Sequence, residues 1–198
     1  MAFGGQKQIS HPDFKEPNGQ HTYLCAHCNT MTSGLVVARY YYSGLNVDWL
    51  ICTGCGHGSV LDNGNIYPNS KFGPIIEGLP KEVLQTYEEA RRCFSVSAFT
   101  ACELICRKIL MHVAVDKGAK ENEAFTYYLS KLGEQGYITP PMTQWVALIS
   151  KHGGKATHLI ETPDRKRAES TLMFTAELLR LIYEMDYMAG RYMPKPKE

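Results

Sequence analysis

Apolar and polar positions follow two different periods in the two parts of this chain. From Tyr23 to about Pro68 the pattern is that of β-strands. Gly34-Leu-Val-Val-Ala-Arg-Tyr-Tyr-Tyr42 and Asn46-Val-Asp-Trp-Leu-Ile51 are rich in β-branched and aromatic residues, and Ser43-Gly44-Leu45 joins them as a hairpin. Asp62-Asn63-Gly64-Asn65 marks a second turn, between Ser59-Val60-Leu61 and Ile66-Tyr67. Past Pro80 the period becomes helical. Pro80 suits a first helical position, and that helix is expected to run to about Cys93. A second spans about Val96 to Lys117 and stops at Gly118. Its apolar face is Ala98, Ala101, Cys102, Ile105, Ile109 and Val113, broadened by Phe99, Cys106 and Leu110, which suits the centre of a bundle. A third runs from about Asn122 to Glu134. A fourth starts near Pro140 and Pro141, carries Trp145, Leu148 and Ile149, and ends at Gly153-Gly154. Thr162-Pro163-Asp164 opens a long last helix with the stripe Ala168, Leu172, Thr175, Leu179, Ile182 and Met185.

These patterns predict an α+β protein, a small N-terminal β zinc ribbon followed by an antiparallel α-helical bundle. The expected divisions are a flexible arm over 1–22, a ribbon over 23–68, a linker over 69–79, the bundle over 80–189 and a tail over 190–198.

The ribbon assignment comes from cysteine spacing. Cys25-Ala26-His27-Cys28 and Cys52-Thr53-Gly54-Cys55 form two matched knuckles, the arrangement that closes a tetrahedral all-thiolate zinc site. A sheet this small buries little apolar surface, so structural Zn2+ is expected to supply much of its folding energy. His27 and His57, beside the knuckles, are the alternative ligands. With four protein ligands no coordination position stays open, which points to a structural metal. The other cysteines, Cys93, Cys102 and Cys106, fall in helical patterns and read as small buried hydrophobes.

Composition narrows the picture little. Of 198 residues, 44% are hydrophobic and 21% charged, and the net charge of +1 gives no bulk argument for nucleic acid or an anionic membrane. The start of the chain lacks the apolar core of a signal peptide, and no apolar run reaches membrane-spanning length. Thiols in metal spacing fit a reducing compartment, so a cytoplasmic location is expected.

Three further features carry candidate chemistry. His158 stands between two helices in Lys151-His152-Gly153-Gly154-Lys155-Ala156-Thr157-His158. Its imidazole could move a proton while Lys151 or Lys155 holds a phosphate; capping or packing the junction is the plainer role. Arg107 and His112 have an Arg-x4-His spacing within the second helix, where Arg107 is expected to pair with Glu103 one turn away. Tyr40-Tyr41-Tyr42 and Trp49 could stack on bases, or else cover the ribbon's core or dock it.

Leu79-Pro-Lys-Glu-Val-Leu-Gln-Thr-Tyr-Glu-Glu-Ala90, Ala98-Phe-Thr-Ala-Cys-Glu-Leu-Ile-Cys-Arg-Lys-Ile-Leu110 and the junction Gly153-Gly-Lys-Ala-Thr-His158 resemble an uncharacterised bacterial and phage domain family among the HEPN-like helical domains. The resemblance covers about residues 79–188, and such domains often follow a zinc ribbon. It implies a bundle that forms homodimers and, in active members, a metal-independent endoribonuclease with an Arg-x4-6-His motif. Here Lys151 takes the place of that arginine, and lysine lacks the bidentate guanidinium fork. The leading expectation is a non-catalytic interaction or adaptor module in a nucleic-acid or phage-defence context, with a protein or RNA partner. The alternatives are a ribonuclease or toxin using His158, and a phage-encoded inhibitor of a host defence protein.

Overall fold

The alternating stretch folds as a curled antiparallel meander in the order β1-β2-β3-β4-β5: β1 (Gln20–Leu24), β2 (Met31–Tyr42), β3 (Leu45–Cys52), β4 (Gly58–Asp62) and β5 (Asn65–Tyr67). In this computed structural model residues 19–155 and 162–193 are described. The chain divides into two compact units, Met1–Ser70 and Lys71–Glu198.

Turn chemistry sets the register of the meander. Ser43 (φ 48°) and Gly44 (φ 87°) are both left-handed, as are Asn63 (φ 46°) and Gly64 (φ 85°). Two consecutive positive φ values make the two-residue turn whose twist matches that of antiparallel strands. The first strand begins at Gln20, earlier than the alternation suggested. Its pairing with β2, from Gln20↔Leu35 to Leu24↔Met31, holds a polar segment that has no strand pattern of its own.

One face of the sheet carries Tyr23, Val36, Leu50 and Cys52, which pack with Cys25 as the ribbon's core, and Cys28, Cys55, Leu61 and Ile66 lie against them. Gly34 belongs to this face, where a Cβ would come within 2.5 Å of Tyr23 Cε1. Trp49 faces the other way. Pairing puts it in a row with Ala38, Val60 and, through Val60, Tyr67, and it stays 43% exposed, so it is not part of the ribbon's core.

Asp48, buried on the core face, ties three strands together. Arg39 donates to it through Nε (2.6 Å) and Nη2 (2.8 Å), and His21 Nε2 lies 2.7 Å from Oδ2. The Arg39 guanidinium, followed by His21, holds the carboxyl below its ordinary range against the opposing effect of burial.

The second unit contains α1 (Lys81–Ser95), α2 (Phe99–Asp116), α3 (Phe125–Glu134), α4 (Thr143–Lys155), α5 (Arg165–Leu179) and α6 (Met185–Tyr192). Pro80 is the residue before the first helical position, not in it. Ser97 (φ 62°) separates α1 from α2, so α2 starts at Phe99. α4 runs through Gly153-Gly154 to Lys155. Asp164 caps α5, its Oδ1 accepting from the Arg167 amide at 2.8 Å.

α2 packs on α1, α3 and α5 and places Cys102, Cys106, Ile109, Leu110 and Val113 in the helical core. Between α5 and α6 lies a π-helical turn, Arg180–Glu184. Its wider turn rotates the face that follows. Ala168, Leu172, Thr175, Leu179 and Ile182 are buried as the stripe predicts, but Met185 is 58% exposed and α6 buries nothing.

Arg91, 2% exposed, fastens the segment ahead of α1. Its Nε donates to the Phe72 carbonyl (3.0 Å) and Nη2 to that of Gly73 (2.8 Å), while Nη1 reaches Glu88 Oε1 at 2.6 Å. The Tyr87 hydroxyl donates to the Pro74 carbonyl at 3.0 Å.

Two outcomes follow from this packing. Leu179→Ala removes a fully buried side chain beside the π-turn and should cost about 2–5 kcal/mol in chemical denaturation. Asp48→Asn should weaken the ribbon at neutral pH. Because the folded carboxyl titrates below the unfolded one, its stabilisation is complete above about pH 4 and disappears as pH falls through the folded value. The gap between variant and wild type, followed by Trp49 fluorescence during unfolding, should therefore narrow below that pH.

Candidate metal centre

The two knuckles sit where strands end. Cys25 follows β1, and the Cys25 carbonyl accepts from the Asn29 amide at 2.9 Å. Cys52 ends β3, and its carbonyl accepts from the Gly56 amide at 2.9 Å. Asn29 (φ 56°) and Gly56 (φ 74°) occupy the same place in each knuckle, directly after the second cysteine, and both are left-handed. These matched turns fold each Cys-x2-Cys so that its two sulfurs point the same way.

The four sulfurs of Cys25, Cys28, Cys52 and Cys55 all lie within 4.8 Å of one another. Cys25 and Cys55 Sγ are 3.8 Å apart and Cys28 and Cys52 Sγ 3.9 Å. A tetrahedral ion with bonds of about 2.3 Å to sulfur requires edges of about 3.8 Å. A disulfide would require about 2.05 Å. The spacing therefore fits one metal ion held by four thiolates. Cys25 and Cys52 are buried and Cys28 and Cys55 half-buried, so the cluster also fills the ribbon's interior.

Hydroxyls lie against the sulfurs. Thr30 Oγ1 lies 2.9 Å from Cys28 Sγ, and the Cys52 thiol donates to Thr32 Oγ1 at 3.5 Å. Thr30, first through its hydroxyl and then through its amide, lowers the Cys28 thiol. The Thr32 hydroxyl, with the Cys55 and Gly54 amides, brings Cys52 down to about 6 against burial. At Cys55 the His57 amide pulls downward, but burial and the three neighbouring thiols push it up to about 12. Four thiolates this close repel one another, and a dication removes that repulsion.

Thr30 and Thr32 were not foreseen as supporting residues. The only local sign is a hydroxyl two and four residues beyond Cys28. His27 and His57, both exposed, stack on each other at 4.3 Å with 17° between the rings, and neither belongs to the sulfur cluster.

Among the described residues, Glu103, Arg107 and His112 do not converge. Glu103 is not paired with Arg107. Its carboxylate receives Arg167, Nε to Oε1 at 2.8 Å and Nη2 to Oε2 at 2.9 Å. The Arg107 guanidinium lies over the Phe125 ring at 4.1 Å, while His112 is exposed beside the α1–α2 cleft. Lys151 and Lys155 lie on α4, but their side chains fall outside the described ones, as does the whole of His158.

The family model described as domain of unknown function (DUF4145) matches residues 88–195, more than half of the chain. The chain belongs to the DUF4145 family. The DUF4145 match begins within α1 and covers α2 through α6, so the four-cysteine cluster lies ahead of it. No curated protein and no solved structure compared with the chain matches it. Among the described residues no helix is long and apolar enough to cross a membrane.

Two substitutions check the site. Cys52→Ser should abolish stoichiometric metal binding and unfold the ribbon, read by metal analysis and by loss of β-sheet signal in circular dichroism. Thr30→Val should keep the ligands but release metal to a chelator about 10–100-fold faster, because an outer donor to sulfur is lost.

Proposed function

We propose that the chain is a zinc-binding interaction module without a catalytic centre, acting as an adaptor in a nucleic-acid or phage-defence setting. The closed four-sulfur cluster carries this reading. Soft thiolates in a tetrahedral set suit Zn2+, and an ion with four protein ligands has no position left for substrate. In this reading the ribbon (23–68) is the metal-stapled part and the bundle (80–189) presents the partner surface.

The helical unit supports it from another direction. Arg167 is engaged by Glu103, Arg91 by backbone carbonyls and Glu88, and Arg107 by the Phe125 ring. Among the described residues neither Arg91 nor Arg107 is paired with a histidine. The defence setting, the HEPN-like character and a homodimer rest on the resemblance of residues 79–188. A cytoplasmic location rests on thiols that must stay reduced to bind metal.

The direct test is incubation of purified, zinc-loaded protein with structured and single-stranded RNA. The adaptor reading expects no cleavage above a mock preparation, and the same result for His158→Ala. Cleavage that disappears in His158→Ala, Lys151→Ala or Lys155→Ala would instead establish the endoribonuclease.

A further inference from the structure

Between α1 and α2 the helical unit holds a cavity of about 230 Å³, lined by Glu82, Val83, Thr86, Lys108, Ile109 and His112. Val83 and Ile109, each 2% exposed, form an apolar floor. The rim is polar and divided by helix. α1 contributes the Glu82 carboxylate and the Thr86 hydroxyl. α2 contributes the Lys108 ammonium and the His112 imidazole, one turn apart on one face. The Thr86 hydroxyl donates to the Glu82 carbonyl at 2.8 Å, which leaves its lone pairs to accept. Among the described residues the side chains of Glu82, Lys108 and His112 have no hydrogen-bond or ion-pair partner, although opposite charges line the same opening.

We propose that this cleft binds a small zwitterion, a free amino acid with a short aliphatic side chain. Its carboxylate meets Lys108 and His112, its ammonium meets Glu82 and Thr86, and its side chain rests on Val83 and Ile109. The division of charge decides the class. A plain anion would be repelled by Glu82 and a plain cation by Lys108, while a ligand carrying both satisfies both walls. The volume is below that of a drug-sized site, which sets the ligand at metabolite size. The apolar floor excludes a ligand that is charged throughout. The site uses His112 without Arg107, which faces Phe125.

The test titrates the full zinc-loaded chain with L-leucine and L-valine, reading the His112 ring resonances by NMR. Isovalerate and isoamylamine serve as probes bearing one charge each. At least one amino acid should give a saturable shift, with both single-charge probes about tenfold weaker or more. Lys108→Gln should weaken amino-acid binding about tenfold and leave the amine no weaker, and Glu82→Gln should weaken amino-acid binding about tenfold and leave isovalerate no weaker. All the substituted side chains are exposed, and circular dichroism checks that the helices persist. Isovalerate binding as tightly as the amino acids, or no saturable shift from either amino acid, would overturn the proposal.

Discussion

The ribbon depends on four sulfurs being brought to the edge lengths of a single tetrahedron. Its five strands bury few apolar side chains, and the cysteines are part of that core. A sheet with this little interior has little hydrophobic driving force to set against chain entropy. A metal ion held by the four thiolates would take the place of missing core. The hydroxyls of Thr30 and Thr32 and the knuckle amides then prepare the sulfurs for a cation by stabilising negative charge before one arrives. At the other end of the sheet Asp48 does a comparable job with protein charges alone, gathering Arg39 from β2 and His21 from β1.

The helical unit is organised by ordinary packing around α2, with a few polar anchors at its margins. The Glu103–Arg167 pair crosses from α2 to α5 in a bidentate arrangement that keeps both charges matched as they leave water. Arg91 spends most of its donors on backbone carbonyls that have no strand or helix to satisfy them. These guanidiniums serve the architecture. The cleft between α1 and α2 differs, because among the described residues its charges are left without partners.

Much of the fold was legible where one residue type is demanded by local geometry. Gly44 and Gly64 stand where φ is positive, Gly118 and Gly136 stand just past helix ends, and Asp164 caps α5. The sulfur cluster was legible because each Cys-x2-Cys is a complete local device. What was not legible depended on distant partners. β1 is a strand because β2 is beside it. Arg107 sits one turn from Glu103, yet Glu103 is taken by a residue 64 positions away. The π-turn leaves no mark on the apolar stripe until the stripe turns outward at Met185.

By itself the amino-acid sequence determined the two periodicities, the tight turns, the Asp164 cap of α5 and the set of four cysteines, because each is settled by interactions within a few residues. Tertiary structure alone decided which face of the sheet Trp49 takes, which arginine Glu103 receives, where the last helix loses its core, and that Glu82, Lys108 and His112 surround one opening. Those outcomes depend on the competition among distant side chains for the same burial and the same charge, and that competition is resolved only when the elements pack.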